Sequence, residues 1–281
     1  MIGVYDSGFG GLSVLRHLRR ALPARDFLYL GDSGRAPYGG RDADTILDFS
    51  EQCVERLFEE GCRVVVVACN TVSCVALRHL QQRYAGAGAD RRVLGVTIPA
   101  AEAAVAVSRG HIGVLATART VASGTYPMEI AKLGAHRVTQ RAAPLLAPIV
   151  EEGWQDTEIA QLAVARYLDD LPGIDTLVLG CTHYPFLLDA LAAALPRGVT
   201  LLDPAPHVAV RLVDWLARHP GFDAEGAGTL RVLCTGDPAA FRGPGERFLG
   251  AALPEIGHVA ETGGRLAHRD RVEIAVGQVV R

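Results

Sequence analysis

A pair of similar segments, one in each half of the chain, most constrains the fold. Residues 64–71 read VVVVACNT, and residues 176–183 read TLVLGCTH. Each is a short apolar run that ends in a cysteine followed by small polar residues. Runs that are apolar throughout are typical of parallel strands buried on both faces. The pair therefore predicts two related α/β units, each with a cysteine at the carboxyl end of a buried strand.

The same alternation of strands and helices extends along the chain. Further strand-like runs occupy residues 2–5, 27–30, 93–96, 111–116 and 200–202. Between them apolar residues recur at helical spacing, as at Ile46, Cys53 and Leu57, where Gly61 stands as a C-terminal cap. A second stripe is predicted at Leu162, Ala165, Arg166 and Leu168. This order predicts an α/β protein with mainly parallel sheets.

The domain boundaries are predicted at the points where the chain passes from one α/β unit to the other. We expect one α/β domain from residues 1–98 plus a returning segment 208–281, and a second, similar domain from residues 99–207. Ligands of open α/β sheets bind outside the carboxyl ends of the strands. The two cysteines would then lie on opposite walls of a cleft between the domains.

Composition excludes several classes of function. The net charge is −3 with opposite signs interspersed, which is unlike the basic groove of a nucleic-acid-binding protein. No apolar run approaches the roughly 18 residues of a membrane span. The chain opens on a strand without the features of a signal peptide, so we expect a cytoplasmic protein. Six cysteines in that reducing compartment do not predict disulfides.

Four interpretations compete for Cys69 and Cys181. A zinc site would need more ligands at close spacing than these cysteines and His183 offer. A disulfide is disfavoured by the compartment. A Cys–His nucleophile is possible at Cys181 and His183, but it leaves Cys69 without a role. A two-base proton shuttle uses both cysteines, since a thiol can be tuned to give or take a proton near neutral pH.

A proton shuttle at the α-carbon of an amino acid commonly uses pyridoxal phosphate, which needs a Schiff-base lysine. Lys132 is the only lysine, and it falls in a predicted helix far from the strand ends. The sequence therefore predicts neither a cofactor nor a metal. Removal of the α-proton leaves a carbanion, which without a cofactor must be stabilised by hydrogen-bond donors to the substrate's carboxylate. Asn70, Thr71 and Thr182 are candidate donors.

Two loops at the same predicted sheet edge add polar groups. Residues 6–11 (DSGFGG) follow the first strand, where glycines allow a tight turn and free N–H groups can hold an anion. Residues 31–40 follow the second strand and offer Asp32, Ser33 and Tyr38. A glycine loop alone is weak evidence; the carboxylate of Asp6 beside it favours a binding site.

These motifs resemble those of bacterial glutamate racemases. The similar blocks span nearly the whole chain in the same order: residues 4–11 (VYDSGFGG), 31–33 (GDS), 37–39 (PYG), 68–71 (ACNT), 112–117 (IGVLAT) with Thr120, 148–153 (PIVEEG), 179–185 (LGCTHYP) and 235–238 (TGDP). The resemblance implies two α/β domains, an active site in the cleft between them, and no cofactor. The D-glutamate produced would supply peptidoglycan synthesis.

The resemblance also implies roles for single residues. Cys69 would act on the α-proton of D-glutamate with the help of Asp6. Cys181 would act on that of L-glutamate with the help of His183 and nearby Glu151. The expected substrate-binding residues are Asp6, Ser7, Asp32, Tyr38, Gly39, Asn70, Thr71, Thr117, Thr120, Thr182 and His183.

Some departures and alternatives remain. Cys74 stands where a small residue is usual in this family, and Ala143 where a cysteine is common; neither touches the expected proton carriers. A two-cysteine racemase for aspartate is the nearest alternative, while a Cys–His hydrolase and a two-domain small-molecule binding protein are more distant ones. The expected partners are L-glutamate and D-glutamate, with a homodimer possible.

Overall fold

Two parallel β-sheets carry the fold in the computed structural model, which describes residues 1–86 and 90–267. The strands are β1 (Ile2–Asp6), β2 (Phe27–Gly31), β3 (Val64–Val67), β4 (Arg92–Gly95), β5 (His111–Ala116), β6 (Arg137–Ala142), β7 (Thr176–Gly180), β8 (Thr200–Leu202), β9 (Leu230–Cys234), β10 (Ile256–His258), β11 (Glu261–Thr262) and β12 (Arg265–Leu266). The first sheet has the order β10-β9-β2-β1-β3-β4 and the second the order β6-β5-β7-β8. Strands pair in parallel throughout both sheets, and β11 and β12 form a small antiparallel pair. The predicted α/β fold with mainly parallel sheets is confirmed.

Helices connect the strands. They are α1 (Leu12–Ala21), α2 (Ala43–Glu59), α3 (Asn70–Val75), α4 (Leu77–Tyr84), α5 (Thr97–Val107), α6 (Ala118–Ser123), α7 (Thr125–Ala131), α8 (Leu146–Glu151), α9 (Glu158–Leu168), α10 (Leu188–Ala194), α11 (Pro204–Arg218) and α12 (Pro238–Leu249), with short 3-10 helices at Tyr184–Leu187 and Pro220–Phe222. Helix α2 shows the local signals that bound it: the Asp42 side chain accepts a hydrogen bond from Thr45 N at 2.8 Å, and Gly61 has φ +88° just past the helix. None of the described helices is long and apolar enough to cross a membrane.

The apolar strands bury side chains on both faces of the first sheet. On β1, Val4 packs into one apolar cluster and Tyr5 into another on the opposite face. The cluster around Val4 also contains Leu179 from β7 of the second sheet. Burying a large apolar side chain contributes about 1.5–3 kcal/mol. A shared core of this kind holds the two sheets in a fixed relation.

The prediction was wrong on the stripe in α9. Leu162 is 64% exposed there, and the buried face is formed by Ala160, Val164 and Tyr167. The chosen residues do follow helical spacing, but the set at 160, 164 and 167 has the same period and lacks an arginine. Strands β6, β9 and β10 were missed. The first two carry polar residues (RVTQRA and LRVLC), and the third has only three residues.

The chain returns to the first sheet near its C-terminal end. Strands β9 and β10 extend that sheet beyond β2, whereas β5 to β8 form the second sheet. The domain division stays a prediction, with residues 1–98 plus 208–281 in one domain and residues 99–207 in the other. Residues 268–281 of the returning segment lie outside the described ranges.

Candidate functional site

Cys69 lies between the end of β3 and the start of α3. It occupies the N-cap position of α3 and is 6% exposed. Its Sγ is 3.4 Å from the Oγ of Ser7, which follows β1 in the adjacent position of the sheet. Burial, together with the charge of Asp6, raises the pKa of the Cys69 thiol to about 12. Cys69 is therefore a thiol at neutral pH.

Asp6, at the end of β1, is a buried carboxyl group with an unused oxygen. The side chain is only 1% exposed. Its Oδ2 accepts a hydrogen bond from Gly8 N at 3.0 Å, but Oδ1 has no hydrogen-bond partner among the described residues. Burial raises the pKa of Asp6, although the charge of His183 opposes the shift. A buried acceptor without a partner is unfavourable unless a ligand or a proton satisfies it.

Cys181, which follows β7, is the thiol of the second sheet. It is 7% exposed, and its Sγ lies 3.7 Å from Nδ1 of His183. On the other side of the imidazole ring, Nε2 lies 2.9 Å from Oε1 of Glu151, the last residue of α8. Burial alone would lower the pKa of His183, but its contacts with Cys181 and Glu151 raise it to about 10. The imidazole is thus positively charged at neutral pH.

The loop after β1 brings the two cysteine motifs together. Ser13 Oγ donates to the backbone oxygen of Gly10 at 2.8 Å and is 3.3 Å from that of Thr182. A Cβ atom added at Gly10 would lie 2.6 Å from Cε1 of His183, so only glycine allows this approach. The charge of Cys181 also contributes to raising the pKa of Cys69. The carboxyl ends of β3 and β7 therefore face one another.

Hydroxyl and amide groups surround this meeting point. The Oγ1 atoms of Thr71 and Thr117 are 2.9 Å apart, and Thr117 Oγ1 donates to Thr120 Oγ1 at 3.0 Å. Asn70 Oδ1 accepts a 2.7 Å hydrogen bond from the hydroxyl of the fully buried Tyr126. This contact directs the amide NH₂ of Asn70 away from Tyr126. Residues that follow strands of both sheets thus contribute to one polar cluster.

Asp32 directly follows β2, as predicted, but its carboxylate points into the interior. The residue is fully buried, and its carboxylate accepts hydrogen bonds from Arg35, Thr235 and the hydroxyl of Tyr38. These hydrogen bonds occupy the Asp32 carboxylate, and its role as a substrate-binding residue stays a prediction. The residue holds the 34–40 loop in place.

Tyr38 and Gly39 lie in that loop. The Tyr38 hydroxyl accepts from Tyr5 at 3.2 Å besides donating to Asp32, so it is committed to the interior. A Cβ added at Gly39 would lie 3.1 Å from Cβ of Thr117. The backbone at Gly39, not the Tyr38 hydroxyl, therefore adjoins the polar cluster.

Several neighbours of these groups were not predicted from the sequence. Phe248 of α12 packs edge-on against His183, with ring centroids 5.0 Å apart, and Phe9 packs on the same ring at 6.1 Å. Tyr126 and Ser13, described above, were also missed. They are single residues within helices, and no local pattern marks their tertiary contacts.

The predicted site residues fall into two groups. Those brought together are Asp6, Ser7, Gly39, Asn70, Thr71, Thr117, Thr120, Thr182, His183, Glu151 and the two cysteines; the carboxylate of Asp32 and the hydroxyl of Tyr38 are not among them. Lys132 is ion-paired with Glu129 at 2.7 Å at the end of α7 and does not belong to the cluster. In the described ranges no group of three or more His, Cys, Asp or Glu side chains could hold a metal ion.

Two buried thiols on facing sheets, each beside acid–base partners, are suited to moving a proton between two sides of a substrate. Residues 2–213 match the family model described as Asp/Glu/Hydantoin racemase. The chain belongs to this family, and it is an amino-acid racemase.

The individual proteins to which this chain is similar include several glutamate racemases. The chain is 42% identical over 248 residues to a glutamate racemase of Thermus thermophilus, covering 88% of this chain and 91% of that one. It is 40% identical over 243 residues to that of Persephonella marina, covering 85% and 90%. Among solved structures, glutamate racemase of Francisella tularensis in complex with D-glutamate is 30% identical with a TM-score of 0.85, covering 92% and 96%. The resemblance drawn from the motifs is confirmed.

Proposed function

We propose that the protein interconverts L-glutamate and D-glutamate by a two-base mechanism in which Cys69 and Cys181 act on opposite faces of the α-carbon. The observation that carries this proposal is the pair of buried thiols at the facing ends of β3 and β7. Racemisation requires that a proton leave one face and another arrive on the other. Two fixed groups achieve this without either having to move around the carbon. The similarity to glutamate racemases supports glutamate as the substrate.

In the L-to-D direction Cys181 takes the α-proton as a thiolate, with the positive charge of His183 beside it. Cys69, which burial keeps as a thiol, delivers a proton to the opposite face. The reverse direction exchanges these roles, since the first reaction leaves Cys69 as the thiolate and Cys181 as the thiol. Within the described part of the chain, one buried oxygen of Asp6 beside Cys69 has no hydrogen-bond partner, so Asp6 can hold the substrate's ammonium group or relay the proton.

The carbanion formed between the two proton transfers needs donors to the substrate's carboxylate. Asn70 and Thr71 open α3 directly after Cys69, and Thr182 follows Cys181. Thr71 lies in α3, after β3 of the first sheet, and Thr117 follows β5 of the second; their hydroxyls lie within hydrogen-bonding distance of each other. We propose that these groups hold the α-carboxylate, while the side-chain carboxylate reaches the Gly39 backbone.

We also propose that the protein supplies D-glutamate for peptidoglycan synthesis, is located in the cytoplasm and forms a homodimer. We further propose that it uses neither a cofactor nor a metal. Each of these stays a prediction.

The decisive experiment follows optical rotation after adding L-glutamate to the purified, chelator-treated protein. We expect racemisation of L-glutamate but not of L-aspartate. The variants Cys69→Ala and Cys181→Ala should each abolish it, because a general acid or base contributes about 10²–10⁴-fold. Cys234→Ala removes another buried thiol and serves as the control.

Other outcomes would point elsewhere. Equal turnover of aspartate would favour the related racemase activity. Hydrolysis of an ester or amide that survives Cys69→Ala would favour the Cys–His hydrolase. Binding of glutamate without any inversion would favour a binding protein.

A further inference from the structure

A basic cavity lies at the C-terminal end of α1, the far end of that helix from the Asp6 loop. It has a volume of about 300 Å³. Its lining residues are Arg16, Arg19, Arg20, Pro23, Leu249, Gly250 and Ala251. Its walls thus come from α1 and from the end of α12, two elements that are far apart in sequence.

The three arginines repel one another without a compensating carboxylate. Positions 16, 19 and 20 share one face of the helix because side chains three and four residues apart are neighbours. Within residues 1–86 and 90–267, none of the three forms an ion pair. Burial lowers the pKa of the intervening His17, and although Asp203 opposes this, the charges of Arg16 and Arg20 lower it further. The cavity is a local positive centre on a chain whose net charge is −3.

Arg16 is held at the cavity rather than extended into solvent. Its Nε atom is buried and has no hydrogen-bond partner among the described residues. A Cβ added at Gly250 would lie 3.5 Å from Nη1 of Arg16, so the guanidinium rests against this glycine. Gly250 has φ +74°, which closes α12 in a left-handed conformation that favours glycine.

Helix electrostatics alone accounts for only part of this arrangement. Cations in a last turn stabilise the helix macrodipole, and Arg19 and Arg20 occupy that turn of α1. Arg16 lies a turn earlier. The nearby acid Glu246, one turn before Gly250, is engaged by Arg242 at 3.3 Å and by Leu253 N at 3.2 Å. It therefore does not neutralise the arginines.

We propose that this cavity binds a small molecule that carries a phosphate or diphosphate group. Guanidinium groups match phosphate oxygens in a planar, two-pronged geometry, and several of them around one concavity favour a multiply charged anion. The volume is at the lower end of the range for small-molecule sites. The cavity is separate from the cysteines, so this proposal does not depend on the racemase activity.

The test measures thermal unfolding with increasing pyrophosphate, at an ionic strength kept constant with sodium chloride. A ligand that binds the folded state raises Tm in a saturable way. The variant Arg16→Gln/Arg20→Gln should weaken this binding by at least about tenfold. It retains Arg19, which donates to the backbone oxygen of Gly228 at 3.3 Å. The matched control is Arg166→Gln/Arg218→Gln, which removes two exposed helical charges elsewhere.

Saturable binding that the cavity variant loses and the control keeps supports the proposal. Equal behaviour of both double variants would overturn it, because pyrophosphate would then bind elsewhere, for instance in the cleft. A Tm rise that sodium chloride reproduces would also overturn it. Citrate binding as tightly as pyrophosphate would refute the preference for phosphate. Should the double variant fail to fold, Arg20→Gln alone, at an exposed position, provides the same comparison. Racemisation without pyrophosphate should be unchanged in these variants.

Discussion

Nε2 of His183 lies 2.9 Å from Oε1 of Glu151, and this contact joins the thiol site of the second sheet to the end of α8. Together with Cys181, Glu151 raises the pKa of the buried imidazole to about 10. The charge state of His183, and with it the environment of Cys181, therefore depends on a residue that is 32 positions away in the sequence.

Removing this contact should change the pH dependence of both activity and stability. In Glu151→Gln we expect the alkaline limb of kcat to move down by about one pH unit or more, because His183 loses a partner that favours its charged form. The pKa of His183 in the folded protein, about 10, lies above the ordinary histidine value of 6.5, so the stability linked to this proton is complete below about pH 6.5. It is lost as pH rises towards 10. Glu151→Gln should narrow the Tm difference between pH 6.5 and pH 10.

Glu152→Gln is the matched control, since it removes an exposed carboxylate one residue further on. Kinetic and unfolding profiles from pH 6 to 10.5 measure both effects. If the Glu151 and Glu152 variants gave superimposable profiles, the contact between His183 and Glu151 would contribute to neither activity nor stability.

Hydrogen exchange with solvent distinguishes two bases from one. When L-glutamate reacts in heavy water, early D-glutamate should carry deuterium at the α-carbon, since the Cys69 thiol exchanges its proton with solvent. The remaining L-glutamate should stay largely protiated. Mass spectrometry of the separated enantiomers during the first turnovers measures this. Retention of the substrate's own proton in D-glutamate would refute the two-cysteine shuttle while leaving the racemase activity intact.

Tyr126 should position Asn70. Its hydroxyl donates to Asn70 Oδ1 at 2.7 Å, so Tyr126→Phe leaves that oxygen unsatisfied and frees the amide to rotate. We expect KM for glutamate to rise about fivefold, the equivalent of about 1 kcal/mol. Tyr184→Phe is the control, because Tyr184 is equally buried and donates at 2.9 Å to the backbone oxygen of Ala143. The same rise in KM in both variants would indicate a general loss of stability instead.

Gly10 should tolerate no side chain. A Cβ there would lie 2.6 Å from Cε1 of His183, so Gly10→Ala must displace the imidazole or the loop. A misplacement of about 1 Å can reduce activity by about 10²-fold. Gly40→Ala is the control, since a Cβ at Gly40 would meet nothing within 4 Å. Full activity of Gly10→Ala in a steady-state assay would contradict the close approach of the two motifs.

Much of the site could be predicted because each of its main residues follows a recognisable strand. Cys69 and Cys181 come after uninterrupted apolar runs, and chain order places such residues at the carboxyl edges of parallel sheets. Strand β6 was missed because its polar residues give no apolar run. Asp32 was assigned to the substrate by the same rule that found Asp6. Asp6 ends β1 and Asp32 directly follows β2 in the same sheet, so only their surroundings distinguish them.

Local periodicity and motif order were sufficient to predict the α/β fold, a cysteine at the end of a buried strand in each half of the chain, and the family. Which polar groups are available to a ligand depends on the tertiary contacts. Arg35 and Thr235 occupy Asp32, whereas one oxygen of Asp6 has no hydrogen-bond partner among the described residues. Tertiary packing also places Glu151 beside His183. The physical reason is that burial and hydrogen bonding depend on contacts between residues distant in sequence, which no local pattern encodes.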